Sequence, residues 1–232
     1  MASRTQTNLS SLIIDKAKSS GASLAGLTSI ASLLKSPYYQ TRGEANWPEE
    51  AKSVLVLALL HEEARPELDW WDGEKGGTRG NRSLQSTMEI LQPWLSEKFK
   101  IKASSLPYHI EKGGMPLKDA AVLAGLGVIG RNNLLITPEF GTRVRLRAML
   151  LDAELTPAGP LDFTPCAACD MPCRQACPQK AFAPGSYSRA LCQIQMTENE
   201  ANKSAPPKTM QNDSPGEIVK YCRACELACP IP

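Results

Sequence analysis

Residues 166–178 read Cys166-Ala-Ala-Cys169-Asp-Met-Pro-Cys173-Arg-Gln-Ala-Cys177-Pro178, and the spacing of these four cysteines decides how this region folds. A similar run, Cys222-Arg-Ala-Cys225-Glu-Leu-Ala-Cys229-Pro230, follows later, with Cys192 between the two. The chain has eight cysteines in all, and two four-iron clusters with four thiolate ligands each require that number. The pattern therefore predicts a double iron–sulfur site.

The order of the cysteines also predicts which of them share a cluster. In two-cluster ferredoxins, the cysteine that precedes proline binds the other cluster. We therefore predict two sets of ligands. The first thiol group contains Cys166, Cys169, Cys173 and Cys229. The second thiol group contains Cys177, Cys192, Cys222 and Cys225. The spacing departs from the bacterial ferredoxin run in one place, because Cys169 and Cys173 enclose three residues instead of two.

Two other uses of eight cysteines have to be weighed. Four disulfides would be typical of a short secreted protein, whereas this sequence has 232 residues and shows no secretory leader. Structural zinc usually takes two clean cysteine pairs, often with histidine, and both His61 and His109 are far from the cysteines in sequence. Iron–sulfur clusters are the favoured interpretation.

Composition limits the class of protein without defining its activity. The chain is 42% hydrophobic and 22% charged, with a net charge of +2, so nothing indicates binding to nucleic acid or to a membrane surface. The longest apolar run, Val54 to Leu60, is too short to span a bilayer. The first residues contain neither an apolar signal core nor a twin-arginine pair, which favours the cytoplasm.

Hydrophobic periodicity predicts a mixed α+β fold before the cysteines. Helices are expected at residues 8–20, 83–100 and 116–124, and strands at residues 22–30, 51–60, 101–106 and 133–138. The strand at 51–60 shows no polar alternation, so we expect it to be central and buried on both faces. Asn8 or Ser10 could cap the first helix, and Pro93 predicts a kink or a break in the second.

A glycine-rich block, Gly125-Leu126-Gly127-Val128-Ile129-Gly130, matches the dinucleotide-binding pattern Gly-x-Gly-x-x-Gly. That fingerprint requires a strand before the glycines and a helix after them. Here a predicted helix precedes the block and a predicted strand follows it. Gly125 is therefore better interpreted as the end of a helix than as part of a nucleotide site.

Two further patterns leave their function open. Arg143, Arg145 and Arg147 alternate along a predicted strand, so they share one face, which is either solvated or contacts an anionic ligand or a docking partner. Trp70 and Trp71 precede a loop that contains Gly73, Gly76, Gly77 and Gly80. That loop could line a flat ligand or could simply lie on the surface.

One stretch carries a family likeness. Ala124-Gly-Leu-Gly-Val-Ile-Gly-Arg-Asn-Asn-Leu-Leu-Ile-Thr-Pro-Glu-Phe-Gly141, followed by the paired cysteine groups, resembles epoxyqueuosine reductase and the corrinoid-dependent reductive dehalogenases. Upstream, Trp47-Pro-Glu-Glu-Ala-Lys-Ser-Val-Leu-Val-Leu-Ala58 resembles the segment of that family that enters the central strand. The resemblance implies a nitroreductase-like α/β domain that binds cobalamin, at residues 1–157. It also implies a ferredoxin-like domain with two 4Fe-4S clusters, at residues 158–232, with the same ligand sets as above.

The resemblance also implies candidate site residues. In epoxyqueuosine reductase an Asp upstream of the glycine block is thought to protonate the substrate, and Glu111 stands at that distance here. His109 and Tyr108 would lie near the substrate with it. The residues expected to contact cobalamin are Gly125, Leu126, Gly127, Gly130, Arg131, Asn132, Gly141 and Arg143.

The expected function is reduction of a small molecule at a bound cobalamin. The second thiol group would take electrons from a ferredoxin or flavodoxin-type donor, and the first would pass them to the cobalamin. Two alternatives remain: a reductase that acts on the corrinoid of a partner protein, and an electron carrier without cobalamin. The family's tRNA-binding helical repeats and the dehalogenases' twin-arginine leader do not appear in this sequence, so we expect no nucleic-acid partner. The oligomeric state stays open.

Overall fold

The computed structural model describes residues 4–42, 47–207 and 216–231. Its α-helices are α1 Arg4–Ser19, α2 Ile30–Leu34, α3 Pro37–Arg42, α4 Arg79–Phe99, α5 Leu117–Leu123, α6 Pro172–Gln175, α7 Arg189–Ala201 and α8 Ala224–Leu227. Its strands are β1 Leu24–Ser29, β2 Ser53–Leu60, β3 Ala103–Ser105, β4 Val128–Ile129, β5 Leu135–Ile136 and β6 Val144–Leu151. Short 3-10 helices lie at Pro66–Asp69 and Ile110–Lys112. The mixed α+β class is as predicted.

The main sheet has four antiparallel strands in the order β1-β2-β6-β3. β2 lies inside this sheet, and its first six residues are buried, as the absence of polar alternation predicted. One face of the sheet packs Leu55 and Leu57 against Leu91 of α4, and the other packs Val56 against Ala120 of α5. Both faces are covered, and burial of these apolar side chains is the main stabilising force of this part of the fold.

Two helix boundaries differ from the sequence prediction. α1 begins at Arg4, so neither Asn8 nor Ser10 is its cap. The Oγ of Ser10 instead accepts a hydrogen bond from the Thr156 amide at 2.9 Å. α4 begins earlier than expected, with Thr78 as its N-cap, and it continues through Pro93 without a break. Leu91 and Leu95 on either side of Pro93 are fully buried, and their packing outweighs the loss of one helical hydrogen bond.

The glycine-rich block forms the end of a helix and a small hairpin. α5 precedes it as predicted, and Gly125 follows the helix with a φ of +74°, a conformation that favours glycine. β4 then pairs with β5, with Val128 opposite Ile136. A Cβ atom on Gly127 would overlap the carbonyl oxygen of Ile136, so glycine is required there for close approach of the two strands. This segment is not a strand–turn–helix nucleotide site.

Replacement of Gly127 by alanine is expected to destabilise the protein by about 1–3 kcal/mol, because the hairpin backbone must shift to admit the new methyl group. Urea denaturation followed by far-ultraviolet circular dichroism measures the change. Gly216→Ala is the matched control, since among the described residues a Cβ there would meet only the Asp72 carbonyl oxygen, at 3.9 Å. Equal stability of the two variants would contradict the close approach described above.

The segment that contains the cysteines packs against the sheet-containing part of the chain. We refer to residues 158–207 and 216–231 as the cysteine segment. Val219 forms a β-bridge with Trp71, and the Nζ of Lys220 lies 4.2 Å from the centre of the Trp70 ring. The two tryptophans therefore contact the cysteine segment. No helix among the described residues is both long and apolar enough to cross a membrane.

Candidate functional site

All eight cysteines are free thiols, and electrostatics divides them into two neighbourhoods. Burial, followed by the neighbouring thiols of Cys222, Cys192 and Cys177, raises the pKa of the Cys225 thiol to about 12. Burial also raises the pKa of Cys173, where the contributing thiols are Cys229, Cys169 and Cys166. These two neighbourhoods coincide with the ligand sets that the spacing predicts.

Backbone amides already point at sulfur in both thiol groups. The amide of Met171 donates to the Sγ of Cys169 at 3.4 Å, and the amide of Ala181 donates to the Sγ of Cys177 at 3.3 Å. Hydrogen bonds of this kind tune the potential of a thiolate-bound cluster. Among the described residues, no three His, Cys, Asp or Glu side chains are arranged to hold a metal ion. The argument that these cysteines could bind iron–sulfur clusters therefore depends on the grouping of the thiols and on the two amides that donate to sulfur.

Two adjoining cavities lie beside the second thiol group. The smaller, which we call the thiol pocket, has a volume of about 200 Å³ and is lined by all four cysteines of that group. The larger, which we call the open cavity, has a volume of about 600 Å³, within the range of ligand sites. The residues that line both are Lys118, Asn133, Leu134 and Tyr187. The second thiol group therefore adjoins the open cavity, and the cysteines of the first group line neither.

The three predicted catalytic residues meet at the open cavity. Tyr108, His109 and Glu111 all line it from the loop that follows β3. The Nδ1 of His109 lies 3.4 Å from the Oε1 of Glu111, and the ring of His109 stacks edge-on against Tyr108. The guanidinium of the buried Arg147 lies 5.5 Å from the centre of the Tyr108 ring. The structure thus brings an imidazole, a carboxyl group and a phenol together at the exposed rim of the open cavity.

Most of the predicted cobalamin contacts lie elsewhere. Of those eight residues, only Asn132 lines either cavity, and it lines the thiol pocket. Gly125 and Gly127 are packed closely against backbone, Gly130 is packed against the side chains of Ile136 and Asn132, and Leu126 is buried in the core. Direct contact with a cofactor stays a prediction for these residues. The open cavity is instead lined by the neighbouring segments 115–119 and 133–135, which lie outside the glycine-rich motif.

The three alternating arginines have different environments. Arg143 pairs with Glu63 at 2.9 Å on the exposed surface, and Arg145 pairs with Asp69 at 3.0 Å. Arg147 is buried, and its Nε has no hydrogen-bond partner among the described residues. Burial lowers the pKa of Arg147, although the nearby Tyr108 opposes the shift. Arg143 and Arg145 are therefore partly exposed, and only Arg147 of the three is buried.

A buried charge network links the sheet to the cysteine segment. His61, at the end of β2, places Nδ1 2.9 Å from the Oε1 of Glu226. Its Nε2 lies 3.2 Å from the Oδ1 of Asp69, close enough for an ion pair but without a hydrogen bond. Arg223 contacts both carboxylates, with NH1 2.8 Å from the Oδ2 of Asp69 and Nε 3.1 Å from the Oε2 of Glu226. Together with Arg145, these residues form what we call the interface network.

The charged groups of the interface network compensate one another. Burial alone would raise the pKa of the Glu226 carboxyl, but hydrogen bonds to His61 and Arg223 hold it below its usual value. The sequence places His61 far from every cysteine, whereas the structure places it against Glu226, the residue after Cys225. No local sequence pattern indicates this contact.

Lys118 occupies the wall between the two cavities. Its Nζ donates a hydrogen bond to the carbonyl oxygen of Asn133 at 2.6 Å. Burial lowers the pKa of Lys118 despite the adjacent Asp119 carboxylate, and burial raises the pKa of Asp119. A partly buried lysine therefore stands between the second thiol group and the open cavity.

The chain has relatives among well-described reductases, although no family model matches it. It is 24% identical over 199 residues to epoxyqueuosine reductase of Listeria monocytogenes, which covers 78% of this chain and 48% of that protein. It is 45% identical over 118 residues to tetrachloroethene reductive dehalogenase of Desulfitobacterium hafniense, which covers 47% of this chain and 21% of that protein. The chain spans about half the length of the curated epoxyqueuosine reductases that it matches.

Solved structures of the same two kinds share the fold. A crystal structure of epoxyqueuosine reductase with a tRNA stem loop covers 97% of this chain and 65% of its own chain, with a TM-score of 0.67 and 22% identity. The catabolic reductive dehalogenase NpRdhA covers 76% of this chain and 26% of its own, with a TM-score of 0.56 and 16% identity. The predicted resemblance to these two kinds of reductase is confirmed.

Proposed function

We propose that this chain, whose relatives are epoxyqueuosine reductases and reductive dehalogenases, is an iron–sulfur reductase that uses cobalamin to reduce a small molecule. Two 4Fe-4S clusters on the two thiol groups would carry the electrons. The observation that carries the proposal is the shared wall between the thiol pocket and the open cavity. It places four thiols next to a space of ligand size that is rimmed by Tyr108, His109 and Glu111.

The residues present fit both cofactors. The thiol groups and the amides of Met171 and Ala181 suit clusters, and the open cavity lies between the sheet-containing part and the cysteine segment. Tyr187 and Arg189 line it from the cysteine segment, and Val144 and Leu146 line it from β6. Bound cobalamin would supply the reducing power that the amino acids lack.

The geometry favours the reverse of the electron order expected from the sequence. The second thiol group adjoins the open cavity, so its cluster is the one suited to deliver electrons there. The first thiol group lines neither cavity and is suited to receive electrons from outside. The spacing of the cysteines in the sequence predicts which of them share a cluster. It does not indicate which cluster faces a cavity, because the position of each cluster depends on how the cysteine segment packs against the sheet-containing part.

The protein's own contribution at the open cavity would be position and protons. Glu111 and His109, 3.4 Å apart, can hold a proton at the rim, and Tyr108 adds a phenolic donor. Lys118 places a positive charge beside the second thiol group, which stabilises the negative charge that reduction adds. These side chains leave the substrate's identity open but suit a reaction that consumes both electrons and protons.

Binding of cobalamin tests the proposal directly. We expect anaerobic, cluster-loaded protein to bind about one equivalent of cobalamin with a base-off absorption spectrum. Val144→Trp should weaken this binding at least about tenfold, because the indole would fill part of the open cavity. Ile90→Trp is the matched control, since Ile90 lies on the exposed side of α4.

Three outcomes of this titration would contradict the proposal. Failure to bind cobalamin, combined with reduction of a separate corrinoid protein, would make the chain an activating reductase. Failure of both would leave an electron carrier. Equal binding by the two tryptophan variants would place the cofactor outside the open cavity.

A further inference from the structure

We infer that electrons enter through a docking face above the first thiol group, formed by Ile129, Arg131, Met171 and Leu227, and that its partner is a small acidic one-electron carrier protein. This inference rests on the proposed function, in which the second thiol group delivers electrons to the open cavity. It goes further by naming the surface at which a donor binds and the chemistry of that donor.

The location follows from the position of the two thiol groups. The four cysteines of the second group line the thiol pocket, whose wall is shared with the open cavity. The cysteines of the first group line neither space. In a chain of two clusters, the end away from the substrate is where electrons arrive. A donor must therefore approach the first thiol group.

Three separate segments converge beside that group. α6, which contains Cys173, packs against α8, which contains Cys225 and is followed by Cys229. The turn between β4 and β5 reaches both helices. Asn132 Nδ2 donates to the carbonyl oxygen of Cys225 at 3.3 Å, and Arg131 NH1 lies 3.4 Å from the Sδ of Met171. Met171 also adjoins the first thiol group, because its amide donates to the Sγ of Cys169. Ile129 lies two residues before Arg131, and Leu227 lies on α8 two residues before Cys229.

The docking face exposes more apolar surface than folding alone explains. Leu227 lies between Cys225 and Cys229 and is 62% exposed, more than any other large apolar side chain among the described residues. Ile129 is 41% exposed. Single exposed apolar residues are common on protein surfaces. Here, however, Leu227 is two residues from Cys229, and Ile129 is two residues from Arg131, which contacts Met171. An apolar centre with a polar rim is typical of transient interfaces.

The charge of the docking face selects an acidic partner. Arg131 is exposed, and its guanidinium contacts the Met171 thioether, with no carboxylate paired to it among the described residues. Arg174 on α6 adds a second positive charge, and Asp170 next to Met171 removes one. The region is therefore positive, and a positive surface speeds the approach of an acidic protein at low ionic strength.

Rapid mixing of the cluster-loaded protein with a reduced plant-type ferredoxin, an acidic one-electron donor, tests this docking. The readout is the rate at which the iron–sulfur absorbance of the protein bleaches under anaerobic conditions at low salt. Leu227→Glu and Ile129→Glu should each lower the second-order rate constant about tenfold, because each removes apolar contact and adds a repelling charge. Arg131→Glu should also make that rate constant less sensitive to salt.

Two controls separate docking from damage to the clusters. Ile90→Glu changes an exposed isoleucine on α4 and should react at the wild-type rate. Titanium(III) citrate, a small reductant that needs no docking face, should bleach Leu227→Glu and Ile129→Glu as fast as wild type. Leu227→Glu could lose iron because it neighbours the cysteines. In that case Ile129→Glu still tests whether the docking face binds the ferredoxin.

The failure of this inference is distinguishable from the failure of the proposed function. Suppose that all three variants contain clusters that titanium citrate bleaches, and that ferredoxin reduces them at the wild-type rate. This result would contradict the proposed docking face but not the proposed function. Disruption of a dimer by Leu227→Glu at an unchanged ferredoxin rate would show that a second copy of the chain covers this face, which also overturns it. Protein without iron would overturn both.

Discussion

Replacement of Cys229 by alanine is expected to reduce the iron content from about eight atoms per chain to about four. Cys229 belongs to the first thiol group, where it is the largest electrostatic contributor among the thiols around Cys173. A four-iron cluster that loses one of four thiolate ligands is poorly held, whereas the second group keeps all of its cysteines. Colorimetric iron analysis of anaerobically reconstituted protein, together with electron paramagnetic resonance of the reduced state, measures the result.

The complementary variant is Cys192→Ala, which removes a ligand from the second thiol group. We expect it also to retain about four irons, but with the resonance signal of the other cluster. Full iron retention by Cys229→Ala would show that this cysteine is not a ligand. One zinc per thiol group in place of iron would overturn the cluster assignment as a whole.

Replacement of Asp69 by alanine is expected to lower the free energy of unfolding by about 3–5 kcal/mol. Asp69 has only 4% of its side chain exposed and contacts Arg145, Arg223 and His61. Its removal leaves a buried site with two partly buried arginines, Arg145 and Arg223, that lack one of their compensating charges, which costs more than the loss of an exposed ion pair. The melting temperature should fall by roughly 10 °C in a thermal denaturation experiment.

Glu63→Ala is the control for this prediction. Glu63 also pairs with an arginine, Arg143, at 2.9 Å, but its side chain is 76% exposed. Exposed ion pairs contribute little, so this variant should lose no more than about 1 kcal/mol. If Asp69→Ala and Glu63→Ala were equally stable, the interface network would not hold the two parts of the chain together.

Elements whose signal is local could be predicted from the sequence. β2 is an uninterrupted apolar run, and the structure buries it on both faces within the sheet. α5 and the turn at Gly125 follow from a periodic stretch that ends in glycine. Cysteine spacing also predicts two sets of ligands, and the thiols of each set lie near one another, while their binding to clusters stays a prediction. Each of these predictions depends on residues that are close in sequence or on a chemically restrictive residue type.

Features that depend on docking between distant segments could not be predicted. His61 and Glu226 are 165 positions apart, and nothing in either local sequence indicates their contact. The open cavity has the same origin, since its walls come from the loop after β3, from β6 and from Tyr187 of the cysteine segment. The continuity of α4 through Pro93 was missed for a related reason, because tertiary packing of Leu91 and Leu95 outweighs a local preference.

The short helix α8 is tied to the sheet-containing part at several points. Thr142 Oγ1 donates to the carbonyl oxygen of Glu226 at 3.0 Å, Asn132 Nδ2 donates to that of Cys225, and the side chain of Glu226 is held by His61. Electron tunnelling slows steeply as the gap between two redox centres widens. These contacts fix the backbone on either side of Cys225, so they act as a spacer of constant length between the second thiol group and the open cavity. In the proposed reductase, tunnelling across this gap should therefore be as fast in viscous solvent as in dilute buffer, because no domain movement has to precede it.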